Sequence, residues 1–320
     1  KYISLLMLLY AGKTSISSFK YSIKLYDIVK KLKQWSQSAG NAFILKSETS
    51  ETIRDNTENI KNISIHVPTH LRPLNDEQFG HYLAGLIDGD GHFSSQQQLV
   101  IVFSSPDVQL AYYIKSIIGF GNVRKVKDKN AYLYIISNRE GIIKVLHLIN
   151  NKLRTDNKFN QVVNRILIDS KYKDLNINWK KNTKLHPENL NNHWLAGFCD
   201  ADASFQIKIV NKINRPRPEV RLKLQIDQKS NDLLLLIKDI FGGYIGYRES
   251  QNSYYYESTG FGSAKKVIKY FDKYHLQSSK YRSYLKWRKA YIIIQNKYHL
   301  TELGLKKIKL LKDSLNKNPV

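Results

Sequence analysis

At 320 residues the chain can bury one large core or two modest ones. Its 42% hydrophobic and 12% aromatic content excludes a disordered chain, and 51 Lys and Arg against 27 Asp and Glu, a formal net charge of +24, argues for a polyanionic partner over a small neutral substrate. The single cysteine, Cys199, allows neither an internal disulfide nor a Cys-based zinc site, and no run of about 20 apolar residues could span a bilayer. Charge alone leaves a ribosomal-type or membrane-surface protein open.

Residues 1–75 read as an N-terminal extension and linker. The first forty are rich in Lys and Ser with one acid, Asp27, the composition of an organellar targeting segment. The apolar run at 3–10 is read as a packed helix. Gly12-Lys13-Thr14 resembles the end of a phosphate-binding loop, but Met7 stands where that loop needs its first Gly. A basic amphipathic helix is expected over 21–35 and a polar linker over 47–66, with Pro68 and Pro73 breaking the chain before the next element.

The central feature follows. Residues 81–93 read HYLAGLIDGDGHF and residues 193–205 read HWLAGFCDADASF, one pattern repeated at an offset of 112 (81 to 193). The likeness continues. IKSIIG (114–119) matches IKDIFG (237–242), Tyr132 and Tyr134 match Tyr254 and Tyr256, and Lys158 matches Lys280. The growing offset falls at 211–218 (NKINRPRP), read as a longer hairpin tip in the second copy. Two copies of one supersecondary unit are therefore expected, over 76–175 and 176–320, the second with a C-terminal helix.

Each copy predicts a helix through the motif and then two strands. Val220, Leu222, Leu224 and Ile226 alternate with Arg221, Lys223, Gln225 and Asp227, and Phe205, Ile207 and Ile209 with Gln206 and Lys208. Helices over 111–118 and 233–241 follow, closed by Gly119 and Gly242. Strands are expected around 131–136 and 253–258, helices over 141–150 and 263–274, then helices carrying Lys158 and Lys280. The fold class is α+β: two pseudo-symmetric α-β-β-α-β-β-α repeats with antiparallel sheets, whose outer faces are expected to be rich in Gln, Lys, Arg and Tyr.

In each motif, Ala84-Gly85 and Ala196-Gly197 let a second helix backbone approach closely. Leu83, Leu86, Ile87, Leu195 and Phe198 can supply core contacts, so motif helix should pack on motif helix about a pseudo-twofold axis. Asp90 and Asp202 then sit at negative helix ends, facing a like charge, with Gly91 available as a C-cap. A divalent cation removes that conflict, and hard oxygen ligands at a phosphate suit Mg²⁺. A calcium loop starting at Asp88 fails, with His92 fifth and Leu99 twelfth. A lone DGDG would be a plain turn, but the doubling on equivalent apolar helices argues otherwise. His81 and His193 are read as capping or packing residues. His92 corresponds to Ser204 and supports no mechanism.

LAGLIDGDG at 83–91 and LAGFCDADA at 195–203 resemble the paired motifs of the LAGLIDADG homing endonucleases in their single-chain, two-repeat form, and more narrowly those of fungal mitochondrial group I introns, some of which are RNA maturases. The resemblance covers about 76–300. It implies a saddle of two sheets in the DNA major groove, motif helices at the interface, and cleavage of both strands at a long asymmetric site by a monomer of the mitochondrial matrix using Mg²⁺ or another divalent cation. No membrane partner is expected for the folded repeats.

The resemblance also assigns residues. Asp90 and Asp202, with Gly89 and Ala201 before them, form the metal set, while Asp88 and Asp200 serve structure. Lys158 (RTDNKFNQVV) and Lys280 (SSKYRSYL) would stabilise phosphate charge or order water, though Lys158 reads equally as a solvated helix lysine. Gln228 ends the second strand of the second copy, where the first copy has VFSSPD, and Ala203 replaces Gly91. The half-sites are thus chemically unequal. Gln206, Lys208, Arg221, Lys223 and Gln225 would read base edges, with Gln96 and Gln98 in the first half. Tyr132, Tyr134, Tyr254 and Tyr256 either touch phosphate and sugar or half of them fill the core. The rival reading is a splicing cofactor that binds group I intron RNA through shape and phosphates.

Overall fold

The computed structural model describes residues 62–183, 190–213, 217–258 and 260–315. The chain divides into two units, 1–60 and 61–320, and only the second contains described residues. The helices expected at 3–10 and 21–35 and most of the 47–66 linker lie outside them.

The first repeat opens with α1 (Asp76–Asp90), whose N-cap Asn75 accepts from the Gln78 N–H at 2.9 Å and whose first turn carries Asp76 and Glu77 toward the positive end of the dipole. Then come β1 (Gly91–Phe93), β2 (Leu99–Ser104), α2 (Val108–Ile118), β3 (Asn122–Lys125), β4 (Ala131–Ile136), α3 (Arg139–Ile149) and α4 (Asp156–Val162), which widens into a π-turn over Val163–Leu167. The second repeat has α5 (Trp194–Asp202), β5 (Ala203–Val210), β6 (Glu219–Gln228), α6 (Asp232–Phe241), β7 (Tyr244–Arg248), β8 (Ser253–Ser258), α7 (Phe261–Phe271) and α8 (Lys280–Gln295). A last helix, α9 (Glu302–Leu315), packs on α8 and β5. Among the described residues no helix is long and apolar enough to cross a membrane.

The sheets have one topology, β1-β2-β4-β3 and β5-β6-β8-β7, with every pair antiparallel. Helices cover one face of each. Leu99, Ile101, Phe103, Tyr134 and Ile136 are buried on that face in the first sheet, and Phe205, Ile207, Leu222, Leu224, Ile226 and Tyr256 in the second. Tyr134 donates to the Phe120 carbonyl at 2.6 Å and Tyr256 to the Gly242 carbonyl at 2.8 Å. Side chains two residues apart share a face, so Tyr132 and Tyr254 point to the covered side as well. Of the two alternatives for these four tyrosines, half in the core is the one the structure gives: Tyr134 and Tyr256 fill it, and Tyr132 and Tyr254 pack against it half-buried.

Three further expectations change. Gly91 is not a left-handed cap. Its φ of −81° and ψ of 155° lead straight into β1, and Ala203 does the same with −90° and 152°. A Cβ on Gly91 would stand 2.7 Å from the Ile87 Cα, whereas the equivalent turn of the second repeat accommodates the Cβ of Ala203. Gly119, with φ of 81°, is the left-handed cap, ending α2. Gln96 and Gln98 occupy the tight turn between β1 and β2, closed by Ser94 N–H donating to the Gln98 carbonyl at 2.8 Å, because β1 stops at Phe93 while β5 runs to Val210. Finally, the outer face of the first sheet is mostly aliphatic, and only the second sheet carries the expected polar face.

The segment 62–75 forms no regular element and lies along the second repeat before entering α1. Ile63 exchanges two backbone hydrogen bonds with the Gln295 amide, at 2.9 and 3.0 Å, and Arg288 donates to the carbonyls of Ser64 and His66. Arg72 then stacks 4.0 Å over the Tyr113 ring of α2.

Candidate functional site

The site begins with two glycines. A Cβ on Gly85 would lie 1.9 Å from the Trp194 carbonyl oxygen, and a Cβ on Gly197 would lie 2.0 Å from that of Tyr82. Tyr82 and Trp194 hold equivalent places in the two motifs, so the contact is reciprocal and α1 and α5 touch backbone to backbone. At the far end of that contact a Cβ on Gly89 would meet the Ala201 Cβ at 2.3 Å and Asp202 Oδ2 at 3.0 Å. Both acidic ends are thereby delivered to one place.

The first acid of each motif is buried and hydrogen-bonded throughout. Asp88 accepts from the N–H groups of Arg154 (2.8 Å) and Thr155 (3.1 Å), the Thr155 hydroxyl (2.5 Å) and, across the interface, the Trp194 indole (2.8 Å). Asp200 repeats this with the N–H groups of Gln277 (2.7 Å) and Ser278 (3.2 Å), the Ser278 hydroxyl (2.5 Å) and the Tyr82 hydroxyl (2.7 Å). Burial pushes both carboxyls above the usual range and the donors pull them back. Each aspartate ties down the chain just before a lysine helix and bonds to the opposite motif. Tyr82→Phe deletes one donor and little else, so about 1–3 kcal/mol of unfolding free energy should be lost in a urea titration. An unchanged midpoint would remove Tyr82 from this role.

The second acid of each motif is less enclosed than the first. Asp202 accepts from Gln228 Nε2 at 2.6 Å, and its carboxyl is pushed up to about 6 by burial and then by the Asp90 carboxylate, against the pull of Gln228, Lys280 and Lys158. Asp90 keeps open surface although the ground around it is concave. Its carboxyl is raised by desolvation, which its open surface moderates, and by Asp107, and lowered by Lys280 and Lys158. Lys158 donates to the Gly91 carbonyl at 2.6 Å, while Lys280 donates to the carbonyls of Ala201 and Cys199. Burial depresses Lys158, and Asp88, Asp202 and Asp90 pull it back, so the solvated-lysine alternative is set aside.

Asp107 was passed over in the sequence. It follows the VFSSP stretch noted only for lacking Gln, yet its Oδ1 accepts from Ser279 N–H at 2.6 Å and its Oδ2 from the Ser104 hydroxyl at 2.6 Å. It thus reaches from the first repeat to the residue before Lys280. With Asp90, Val102, Ala201 and Lys280 it lines a cavity of about 150 Å³. A larger depression of about 510 Å³ lies at the other end of α1, around Glu77 and Lys152, which pair at 3.0 Å, and plays no part here.

No cluster of three or more His, Cys, Asp or Glu side chains able to cage a metal occurs among the described residues. What the site offers is one raised carboxylate from each repeat, all hard oxygen, which fits Mg²⁺ only if substrate oxygens and water complete the shell. Gly89 backs onto Asp202, and the Ala201 carbonyl is engaged by Lys280.

The base readers expected in the second half sit on the open face of the second sheet. Gln206 donates to Gln225 at 3.2 Å, Arg221 pairs with Glu219 at 2.7 Å, and Lys223, only 5% exposed, pairs with Glu257. Lys208 shares that face, opposite Arg221. Tyr255 and Arg248 were missed. The guanidinium lies 4.5 Å over the ring and bonds to Asp227 at 2.6 Å.

A family model described as LAGLIDADG endonuclease matches residues 83–168 and 195–291. An uncharacterized 37.2 kDa protein of cox1 intron 2 from Schizosaccharomyces pombe is 61% identical over 96% of this chain and 96% of its own length. The intron-encoded RNA maturase bI4 of Saccharomyces cerevisiae is 28% identical over 67% of this chain, which spans 34% of that protein. Among solved structures, I-SmaMI bound to an uncleaved DNA target in the presence of calcium ions is 25% identical with a TM-score of 0.57, covering 75% of this chain and 99% of that one.

Proposed function

Because the chain belongs to the LAGLIDADG endonuclease family, we propose that it is a monomeric, Mg²⁺-dependent DNA endonuclease of the mitochondrial matrix that cuts both strands at an intron-insertion site. One observation carries the reading: Asp90 and Asp202 meet at a helix contact that two reciprocal glycines permit, each with a lysine amine beside its helix end. A divalent cation held there would neutralise charge on the scissile phosphate as a Lewis acid. Gln228 fixes the rotamer of Asp202. Lys158 and Lys280, oriented by carbonyls of the motif ends, stabilise phosphate charge or order water. The domain assignment proposed with it is extension 1–75, repeats 76–175 and 176–320.

The second reading, a maturase for group I intron RNA, draws support from the likeness to bI4. A plasmid carrying the intron-free insertion site separates the two. Mg²⁺ should yield linear product, EDTA none, and the Asp90→Asn/Asp202→Asn double variant none. Intact plasmid with wild type, together with faster intron splicing by wild type and double variant alike, would replace the endonuclease by the maturase.

A further inference from the structure

The two open sheet faces differ in kind at equivalent positions. In the first sheet one row across the strands reads His92, Val100, Ile135, Asn122, and in the second Ser204, Gln225, Glu257, Tyr244. The next row reads Val102, Leu133, Arg124 against Asp227, Tyr255, Gly246. Four aliphatic side chains, buried Val100, exposed Val102 and half-buried Leu133 and Ile135, thus stand where the second repeat has Gln, Asp, Tyr and Glu. The second sheet also continues along its longer hairpin with Gln206, Lys208, Arg221 and Lys223, which the short first hairpin lacks.

We propose that the first repeat reads its half of the target by apolar contact with thymine methyl groups, leaving hydrogen-bond readout to the second repeat. The proposal rests on the DNA-endonuclease reading above. In the major groove each base pair offers hydrogen-bonding edges, and thymine alone adds a methyl. The aliphatic centre of this face, exposed Val102 with half-buried Leu133 and Ile135, can engage only the methyl, while His92, Asn122 and Arg124 stand on the edge strands beside it. The face adjoins the reaction centre, since Val102, 41% exposed, lines the same cavity as Asp90. Its outer rim is basic. Arg124, Lys125, Lys127 and Lys129 are exposed on the β3–β4 hairpin, against one acid, Asp128, as phosphate contacts flanking an apolar centre require. RNA suits the face poorly, because uracil has no methyl and the A-form major groove is too narrow to admit a sheet.

The test lets the protein choose its own target. The full chain is offered randomised duplex DNA with Ca²⁺, and bound duplexes are sequenced. One half should specify all four bases, and the other should be tolerant except for enriched thymine. In a selected duplex, deoxyuridine for thymine removes the methyl and keeps the pairing. Each methyl contacted by the first repeat should cost about fourfold in affinity. Val102→Ser, an exposed position, should bind the thymine duplex as wild type binds the deoxyuridine one, and lose further sensitivity to the exchange at the methyl it contacts. Duplexes selected with no thymine preference, or with equal loss in both halves, would overturn the proposal and leave the DNA reading standing. A dimer dissolved by Val102→Ser would assign the face to a second copy, which also overturns it. Recovery of no duplex at all would overturn both readings together.

Discussion

Gly197→Val and Gly85→Val chains are expected not to reach the native fold at 37 °C. A real Cβ essentially never comes within 3.0 Å of a heavy atom, and these would stand 2.0 and 1.9 Å from carbonyl oxygens of the opposite helix. The clashing atoms on both sides are backbone, so no rotamer change relieves them and the helices must separate by about an ångström. Separation loosens the packing of Leu83, Leu86, Leu195 and Phe198, all buried, and stretches the cross-interface bonds from Tyr82 and Trp194. Ordinary overpacking costs about 1–3 kcal/mol. Here at least about 4–5 kcal/mol is expected, a large part of a typical native stability. Even Gly197→Ala should lower the urea midpoint markedly. Gly262 is the internal control: it lies in α7 and a Cβ there meets nothing within 4 Å, so Gly262→Ala should be neutral or stabilising by up to about 1 kcal/mol. If Gly197→Ala proved as mild as Gly262→Ala, the close-approach account of the motif would be wrong.

That contact was legible from sequence because it is written in residue types: small side chains at fixed places on two apolar helices, with acids at their ends. The strands at 131–136 and 253–258, and the hairpin tip opening after Val210, were legible for the same reason, since alternation and turn residues are local. What escaped was the choice of face. Period 2 places Tyr132 and Tyr134 together, but only a nearby carbonyl, that of Phe120, explains why the hydroxyl can be buried. The β2 sequence LVIVFS has no alternation, so nothing in it says that Val102 is exposed while Leu99, Ile101 and Phe103 are buried. The polar second sheet was extended to the first by analogy, and the analogy failed where the two copies diverged. Asp107 escaped because its partner, the Ser279 N–H, is 172 residues away.

Asp202→Asn should make the protein more stable and less active at once. The Asp202 carboxyl has its pKa raised from 3.8 to about 6 in the fold, so the folded state binds the proton more tightly than the unfolded chain. Stability from this group is fully present below about pH 4 and falls away as pH climbs through 6. At pH 8 the bare carboxylate costs at most roughly 3 kcal/mol. Asparagine removes the charge and keeps an oxygen for Gln228, so without added cation the variant should melt a few degrees above wild type at pH 8 and close to it at pH 4. Mg²⁺ should narrow the gap at pH 8 by stabilising wild type more than the variant, which keeps only Asp90. Plasmid cutting requires the ionised acid, so wild-type cleavage should rise with pH, with a midpoint below about 6 because a bound cation favours the carboxylate. Asp202→Asn should stop at the open circle, one strand cut, because Asp90 still serves the other strand. Asp90→Asn should give the complementary nick with a smaller stability gain, since Asp90 is open to solvent and only its repulsion of Asp202 is relieved. The two nicked products, mapped on labelled strands, decide the assignment. Nicks on opposite strands fit one acid per strand, whereas linear product from either single variant would mean that one carboxylate suffices for both cuts.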